Sequence, residues 1–234
     1  MAKDRIQGAR FEQKYIIAEE TALEIRDFTR SSLEPDENGV GKPNCSYPVH
    51  SLYLDSDDLK LYWGTIDRDK DRFKLRLRFY DDNPDTPVFL EIKQRMNNNC
   101  RMKKRAAVRR DAVDSLLAGQ TPQPSHLLSE DPEHLSALQE FCERMYEIDA
   151  RSKAHIGFLR EAYIPHGGNS ARLTMDREVR AEPELTARLS TTMPNPVLLW
   201  GQDVVLELKF TNRFPDSFRD LVRTFGLRQC GALS

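Results

Sequence analysis

This chain of 234 residues has no long apolar run and no cysteine framework. No hydrophobic stretch approaches the ~18 residues that a bilayer-spanning helix requires, so no membrane segment is expected. The opening Met1-Ala2-Lys3-Asp4-Arg5 leads into no apolar region of the kind a secretory leader carries. The four cysteines, Cys45, Cys100, Cys142 and Cys230, form no C-x-x-C pair. They are expected as reduced thiols of a cytoplasmic protein, not as a disulfide frame or a zinc site. The five histidines, His50, His126, His134, His155 and His166, show neither H-E-x-x-H nor H-x-H spacing, which argues against a His-ligated metal. An excess of one charge is also missing, since 35 Lys and Arg stand against 37 Asp and Glu for a net charge of -2. That balance excludes a protein that finds its partner by positive charge over its whole surface. There is no repeat of fixed period and no long linker setting off a second core, so residues 1–234 are expected as one domain.

What is there is a folded, strand-rich chain, 39% hydrophobic and 31% charged. A chain of this length buries roughly 70% or more of its unfolded surface, enough for a real core. Alternation predicts strands over Gly8–Ile17, His50–Asp55, Arg72–Tyr80, Val88–Met96, Arg101–Arg110, Ser152–Ile164, Ala171–Arg180 and Val204–Thr211. Arg72–Tyr80 and Val88–Met96 form a hairpin around Asp81–Pro87. Helices are expected over Glu19–Leu33, ended by Pro35, and over Ala112–Ala118, Pro132–Ile148 and Pro215–Phe225. A short helix carrying Leu59, Leu61, Tyr62 and Trp63 follows a cap at Ser56 or Asp57, so Asp55-Ser56-Asp57-Asp58 reads as a cap rather than a metal cluster. Cys142 falls on the apolar stripe of its helix and is expected in the core. Gly39-Val40-Gly41-Lys42 fails as a phosphate loop, because Asp36 stands where glycine is required and Pro43 replaces Ser or Thr.

The alternation carries charge. In Phe73-Lys74-Leu75-Arg76-Leu77-Arg78-Phe79 every second residue is basic, and side chains of a strand alternate faces, so Lys74, Arg76 and Arg78 line one surface. Glu91 and Lys93, Glu207 and Lys209, and Glu12 and Lys14 each share a face in the same way, as do Lys103 and Arg105; Arg160 and Arg172 stand on two later strands. A polar sheet face given to water would account for any one of these strands. Together, however, Lys14, Lys74, Arg76, Arg78, Lys93, Lys103, Arg105, Arg160, Arg172 and Lys209 are ten cations with only Glu12, Glu91 and Glu207 beside them. If these faces converge, mutual repulsion is costly unless a polyanion occupies them. Guanidinium forks match phosphate oxygens two at a time, and lysine serves as a movable point charge. Each glutamate either holds a divalent cation against the phosphates or pairs with the lysine two residues on. Aromatics interleaved for base stacking are absent from these faces, so no nucleic-acid partner is expected.

Seven motifs in chain order carry a resemblance: Phe11-Glu12-Gln13-Lys14-Tyr15, Ser51-Leu52-Tyr53-Leu54-Asp55, Lys74-x-Arg76-x-Arg78-Phe79-Tyr80, Leu90-Glu91-Ile92-Lys93, Arg160-Glu161-Ala162-Tyr163, Leu173-Thr174-Met175-Asp176-Arg177 and Leu206-Glu207-Leu208-Lys209. Over Phe11–Leu227 the chain resembles the VTC domain, the catalytic domain of polyphosphate polymerases, of bacterial type. That family belongs to the CYTH-like triphosphate tunnel metalloenzymes. The resemblance implies an α+β fold, a closed antiparallel β-barrel with a charged lumen and helices packed outside. It gives the grip on a triphosphate or polyphosphate chain to Lys14, Arg76, Arg78, Lys93, Lys103, Arg105, Arg160 and Arg172. Lys74 and Lys209 share the faces, and Arg76, Arg78, Lys93 and Arg160 are expected as the catalytic clamp. The metal, Mn²⁺ or Mg²⁺, falls to Glu207, with Glu91 and Glu12 as further candidates. Family polymerases move the γ-phosphate of ATP onto a growing polyphosphate chain and release the diphosphate. Two departures stand out: Phe158 occupies a position where family members often carry tyrosine, and the sequence stops at Ser234, where the Ser-Lys pair that follows the last helix in the family would begin, so that either the tail lies outside this sequence or the lysine is absent.

The expected function is thus metal-dependent phosphoryl transfer on linear polyphosphate, with synthesis from ATP in first place. Hydrolysis of inorganic triphosphate needs the same residues, and a non-catalytic polyphosphate-binding sensor is a further alternative. The expected ligands are ATP or triphosphate and polyphosphate, in the cytoplasm, with room for a membrane-protein partner.

Overall fold

The computed structural model describes residues 10–95, 101–166 and 170–230, including every side chain there except those of Arg10 and Arg101. Gly8 at the start of the first expected strand, Met96 at the end of another, Cys100 and the chain end at Ser234 lie outside the described residues. In chain order the elements are β1 (Arg10–Ile17), α1 (Glu19–Thr29), β2 (Leu33–Pro35), β3 (Ser46–Asp55), α2 (Lys60–Ile66), β4 (Arg72–Phe79), β5 (Val88–Arg95), β6 (Arg101–Val108), α3 (Val113–Leu117), α4 (Pro132–Glu147), β7 (Arg151–Pro165), β8 (Ala171–Pro183), β9 (Val197–Leu198), β10 (Val204–Thr211) and α5 (Asp216–Thr224). The chain is mixed α+β with antiparallel ladders, and none of these helices is long and apolar enough to cross a membrane.

Two compact units can be distinguished. The first contains Met1–Pro48, Phe158–Val179 and Leu198–Ser234, and the second Val49–Gly157 and Arg180–Val197. In the first unit the strand order is β1-β10-β8-β7, with β2 added along β7 through Leu33↔Pro165 and Pro35↔Tyr163. Its core joins Tyr15, Ile25, Leu173, Met175, Leu206 and Leu208 to Phe218 and Leu221 of α5. In the second unit the order is β7-β3-β4-β5-β6. Leu75, Leu77 and Phe79 of β4 and Leu90 of β5 are fully buried there with Leu138 and Phe141 of α4. Helix α4 exists because Pro132 opens it, the Asp131 carboxylate accepts from the Glu133 N–H at 2.9 Å, and its stripe Ala137, Leu138, Phe141, Cys142 and Met145 is buried. Cys142 is therefore core, as the periodicity predicts. Neither unit's ladder closes on itself among the described residues, so the closed barrel is not a property of either unit.

Several boundaries differ from the alternation. Helix α1 stops at Thr29, and Leu33–Pro35 becomes a strand, where proline is tolerated at the end of a short ladder. The cap of α2 comes mainly from Asp55, whose carboxylate accepts from the Leu61 N–H at 2.8 Å and the Tyr62 N–H at 2.9 Å, while the Ser56 hydroxyl accepts from the Lys60 N–H at 3.0 Å. Strand β8 runs on to Pro183 and takes β9 alongside it, an element the sequence pattern does not announce.

The second unit also buries a histidine pair. His50 Nδ1 and His155 Nε2 lie 3.0 Å apart, and the His50 ring stacks on Phe79 with centroids 5.4 Å apart. Gly157 makes room for this: a Cβ there would stand 3.1 Å from two atoms of the His50 ring. Burial pushes His50 down to about 4, and burial lowers His155 as well. Both are held neutral, so the unfolded chain binds more protons between the ordinary histidine range and pH 4. Stability should therefore fall as the pH drops from about 6.5 to about 4. Urea midpoints measured across that range should decline, and a His50→Phe variant should decline less; identical profiles would exclude the pair as the cause.

Candidate functional site

In the second unit, the register of three strands decides what the charge alternation builds. Directly opposite residues of an antiparallel ladder share a face. Arg76 is opposite Glu91, which is opposite Arg105; Lys74 is opposite Lys93, which is opposite Lys103; Arg72 is opposite Arg95. Arg78 continues the face beside Ser51 of β3, and Tyr53 is opposite Arg76. The other parity packs against α4: the Arg144 guanidinium donates to the Gln94 side-chain oxygen at 3.1 Å and lies 4.8 Å from the Phe73 ring, and Lys104 pairs with Glu140. All six basic residues expected on these strands, Lys74, Arg76, Arg78, Lys93, Lys103 and Arg105, are thus brought onto one face.

Glu91 organises that face. It is fully buried and pairs with Arg76 at 2.6 Å, Lys103 at 2.7 Å and Arg105 at 3.1 Å. Burial works against its charge, but Arg76, Arg78 and Lys103 hold its carboxyl well below the usual carboxylate range. Arg76 also donates to the Tyr53 hydroxyl at 3.3 Å, Arg78 to the Ser51 hydroxyl at 3.3 Å and Arg105 to the Tyr80 hydroxyl at 3.2 Å. The Arg105 guanidinium carbon lies over the Phe89 ring, 3.4 Å from its centroid. Burial would raise the Tyr53 phenol, yet Arg76 and Arg78 bring it down to about 8. Loss of water around the Lys103 ammonium pushes it down to about 8, against the pull of Glu91. The guanidinium groups are pre-oriented by neutral hydroxyls and one carboxylate, which is an arrangement for receiving phosphate oxygens.

In the first unit the remaining predicted residues form a chequered face. Glu12 is opposite Lys209, which is opposite Arg172, and Lys14 is opposite Glu207. Lys14 lies 3.1 Å from Glu12 and 3.6 Å from Glu207, and Lys209 lies 2.6 Å from Glu207. Two further acids join. Arg160 makes a two-pronged contact with Asp176 at 2.7 and 2.6 Å, and Arg172 pairs with Asp36, which also accepts from the Tyr47 hydroxyl. The four cations of this face therefore meet four anions, Glu12, Glu207, Asp36 and Asp176. The expected imbalance of ten against three is corrected accordingly, and the excess of positive charge is a property of the second unit's face. Asp176 shares parity with Arg172 on β8 and was legible; Asp36 comes from a loop and was not. Phe158, in place of tyrosine, puts its ring 5.0 Å from the Arg160 guanidinium.

All three glutamates are engaged by cations, and they differ in how many and in whether a second carboxylate stands beside them. Glu91 is enclosed by three cations, which is the ion-pair arrangement and leaves no carboxylate oxygen for a metal. Glu207, held far below the usual carboxylate range by Lys209 and Lys14 in spite of burial, lies within hydrogen-bonding reach of the Glu12 carboxyl. The Lys14 ammonium bridges these two carboxylates, and Mg²⁺ or Mn²⁺, which needs only one or two protein carboxylates when phosphate oxygens complete its shell, would have to displace it. Among the described residues no cluster of three His, Cys, Asp or Glu side chains could hold a metal alone, so substrate oxygens would have to contribute.

No curated protein matches the chain. Its fold is similar to that of a Bacillus halodurans protein described as a candidate adenylate cyclase, at a TM-score of 0.53 and 11% identity, covering 97% of this chain and 95% of that one. The PH1819 protein of Pyrococcus horikoshii OT3 is also similar, at a TM-score of 0.46 and 12% identity, covering 96% of this chain and 94% of that one. The profile of the VTC domain matches residues 9–234. With nearly its whole length in that match and with the seven motifs placed as described, the chain belongs to the VTC domain family.

Proposed function

We propose that this protein is a metal-dependent phosphotransferase acting on linear polyphosphate, which it builds from ATP. The observation that carries this reading is the lysine row: Lys74, Lys93 and Lys103 stand directly opposite one another across three strands. Ammonium groups gathered along one line of a sheet face attract anions, and a chain of phosphates presents charge in the same linear way. Membership of the VTC family supports triphosphate or polyphosphate as that polyanion. In this reading Arg76, Arg78, Lys93 and Arg160 clamp the reacting phosphates, and Lys14, Lys74, Lys103, Arg105, Arg172 and Lys209 neutralise the rest of the chain. Glu207 with Glu12 would hold Mn²⁺ or Mg²⁺, which when bound supplies charge neutralisation at the phosphate oxygens. Catalysis then rests on positioning and on fixed positive charge. The closed barrel, the single domain over 1–234 and the cytoplasmic location belong to this proposal.

Incubation of the purified protein with ATP and Mn²⁺, followed by phosphorus NMR, tests it. Internal polyphosphate resonances with ADP are the expected result. Orthophosphate from added triphosphate would make it a hydrolase, and absence of both products with binding intact would leave a sensor. Binding itself is a separate expectation: triphosphate at about 100 times its Kd should add about 2.7 kcal/mol and raise Tm by roughly 5–10 °C. An unmoved melting curve at millimolar triphosphate would overturn the phosphate reading altogether.

A further inference from the structure

We propose that helix α2 is a self-association face on which two copies of this chain pair antiparallel, about a two-fold axis, as a weak dimer. The face belongs to the second unit and holds whatever the charged strand surface binds. Leu61 of α2 is buried in one cluster with Leu54, Leu75 and Leu77, so the helix sits on the apolar parity of β4. Lys74, Arg76 and Arg78 occupy the other parity, which pairing through α2 does not cover.

What α2 turns outward is the reverse of what a solvated helix carries. Lys60–Ile66 has only 7 residues, yet Tyr62 is 51%, Trp63 52% and Ile66 54% exposed. With about 3.6 residues per turn, Tyr62 and Trp63 flank Ile66 on one stripe. Their two rings meet edge to face, with centroids 5.1 Å apart. Leu59, just before the helix, adds a fourth apolar side chain, 37% exposed, from a left-handed backbone with φ 57°. Leucine seldom adopts that conformation. The Asp55 carboxylate and the Ser56 hydroxyl accept from the Lys60, Leu61 and Tyr62 N–H groups and so fix the turn that imposes it. A strained residue held with its apolar side chain in water, beside three more, marks a contact surface.

The charges around the stripe decide what it meets. From Asp57 to Arg72 five aspartates stand against four basic residues, so an anionic lipid surface gains no attraction here. Lys60 and Asp67 lie about two turns apart on the same flank of the stripe, one at each end of the helix. Both are exposed, and neither is taken up by an ion pair among the described residues. A two-fold axis across the middle of α2, at Trp63 and Gly64, reverses the helix direction and keeps that flank on the same side. Lys60 of each copy then faces the partner's Asp67, and symmetry makes the contact twice. A parallel pairing would set lysine against lysine and aspartate against aspartate. The antiparallel second copy is therefore the occupant that both the stripe and its flank fit.

The size of the patch sets the strength. Half of a tyrosine and of a tryptophan, with parts of Ile66 and Leu59, leaves roughly 350 Å² of apolar surface per copy, against about 800 Å² per partner in an interface of standard size. The dimer belongs to the weak class, with a Kd of roughly 10–100 µM.

The experiment is sedimentation velocity of the full chain over about 1–500 µM, a range that brackets this Kd. The wild type should show a reversible monomer–dimer step, and Trp63→Ser/Ile66→Ser should stay monomeric throughout. Lys60→Glu alone and Asp67→Lys alone should each raise Kd about tenfold or more, because either sets two like-charge contacts across the axis. Lys60→Glu/Asp67→Lys together restores opposite charges and should return Kd to within about threefold of the wild type. These swaps put an acid at the helix start and a base at its end, which suits the helix dipole, so lost pairing does not reflect a lost helix. A wild type that is monomeric at every concentration overturns the proposal. So does a double swap that pairs no better than the single ones, or a dimer that the Trp63/Ile66 variant leaves unchanged. A wild type that stays monomeric yet co-sediments with phosphatidylcholine vesicles, and loses this in the same variant, would assign the patch to lipid and overturn it too.

Discussion

Glu161→Gln should destabilise the protein by about 3–5 kcal/mol, the range for removing one partner of a buried ion pair. Glu161 is fully buried on β7 in the first unit. It accepts from Arg26 of α1 at 2.6 and 2.8 Å and from Arg177 of β8 at 2.6 Å, with the Tyr163 hydroxyl as a further donor. Arg177 in turn grips Glu19 at 2.8 and 2.9 Å, so one carboxylate ties the start of α1, its last turn and two strands together. Burial opposes the charge on Glu161, while Arg26, Tyr163 and Arg177 hold its carboxyl below the usual range. The contribution is therefore present above the ordinary glutamate range and lost as the pH falls through the lowered value. A drop in Tm of roughly 10 °C is expected, with triphosphate affinity kept because Glu161 faces away from Arg160 on the strand. A loss of less than about 1 kcal/mol would mean that the network is incidental.

Glu91→Gln should produce a different signature. Without ligand it removes the carboxylate from among Arg76, Lys103 and Arg105 and should cost about 2–3 kcal/mol. The figure sits below that for Glu161 because side chains of Lys103 and Arg105 are 47% and 36% exposed and water screens part of the repulsion. Adding triphosphate should return much of this, since three phosphates replace one carboxylate, so the ligand-induced rise in Tm should exceed the wild-type rise. If Glu91 were instead a metal ligand, the variant would keep its unliganded stability and lose the effect of Mn²⁺ on triphosphate binding. Thermal melts of both proteins with and without triphosphate and Mn²⁺ separate the two outcomes. Acid has the same sense as the substitution: protonating Glu91 removes stability as the pH falls below the carboxylate range.

Much of the second unit's face was legible before any coordinates. Lys74, Arg76 and Arg78 had to share a surface because strand side chains alternate with period two, and the same rule placed Glu91 with Lys93 and Lys103 with Arg105. The register was not legible. A shift of two residues between β4 and β5 would keep every parity and yet put Lys74 opposite Glu91. The observed pairing of Lys74 with Lys93 and of Arg76 with Glu91 comes from the tertiary fold.

The first unit shows the opposite balance. Glu12, Lys14, Glu207 and Lys209 could be read as E-x-K pairs, and the ladder then chequers them. Arg160 and Arg172, read as isolated cations, acquire Asp176 and Asp36 as partners, one across a strand pair and one from a loop 136 residues away in sequence. By itself the sequence determined the periodicity, the helix stripes, the charged parity of each strand and, through seven ordered motifs, the family. Those are properties of neighbours along the chain, set by backbone geometry and side-chain alternation. Only the tertiary structure decided which charges meet, and so which face is balanced and which keeps its positive excess. Ion pairing depends on contact at 3–4 Å between residues far apart in sequence, and no local rule encodes that distance.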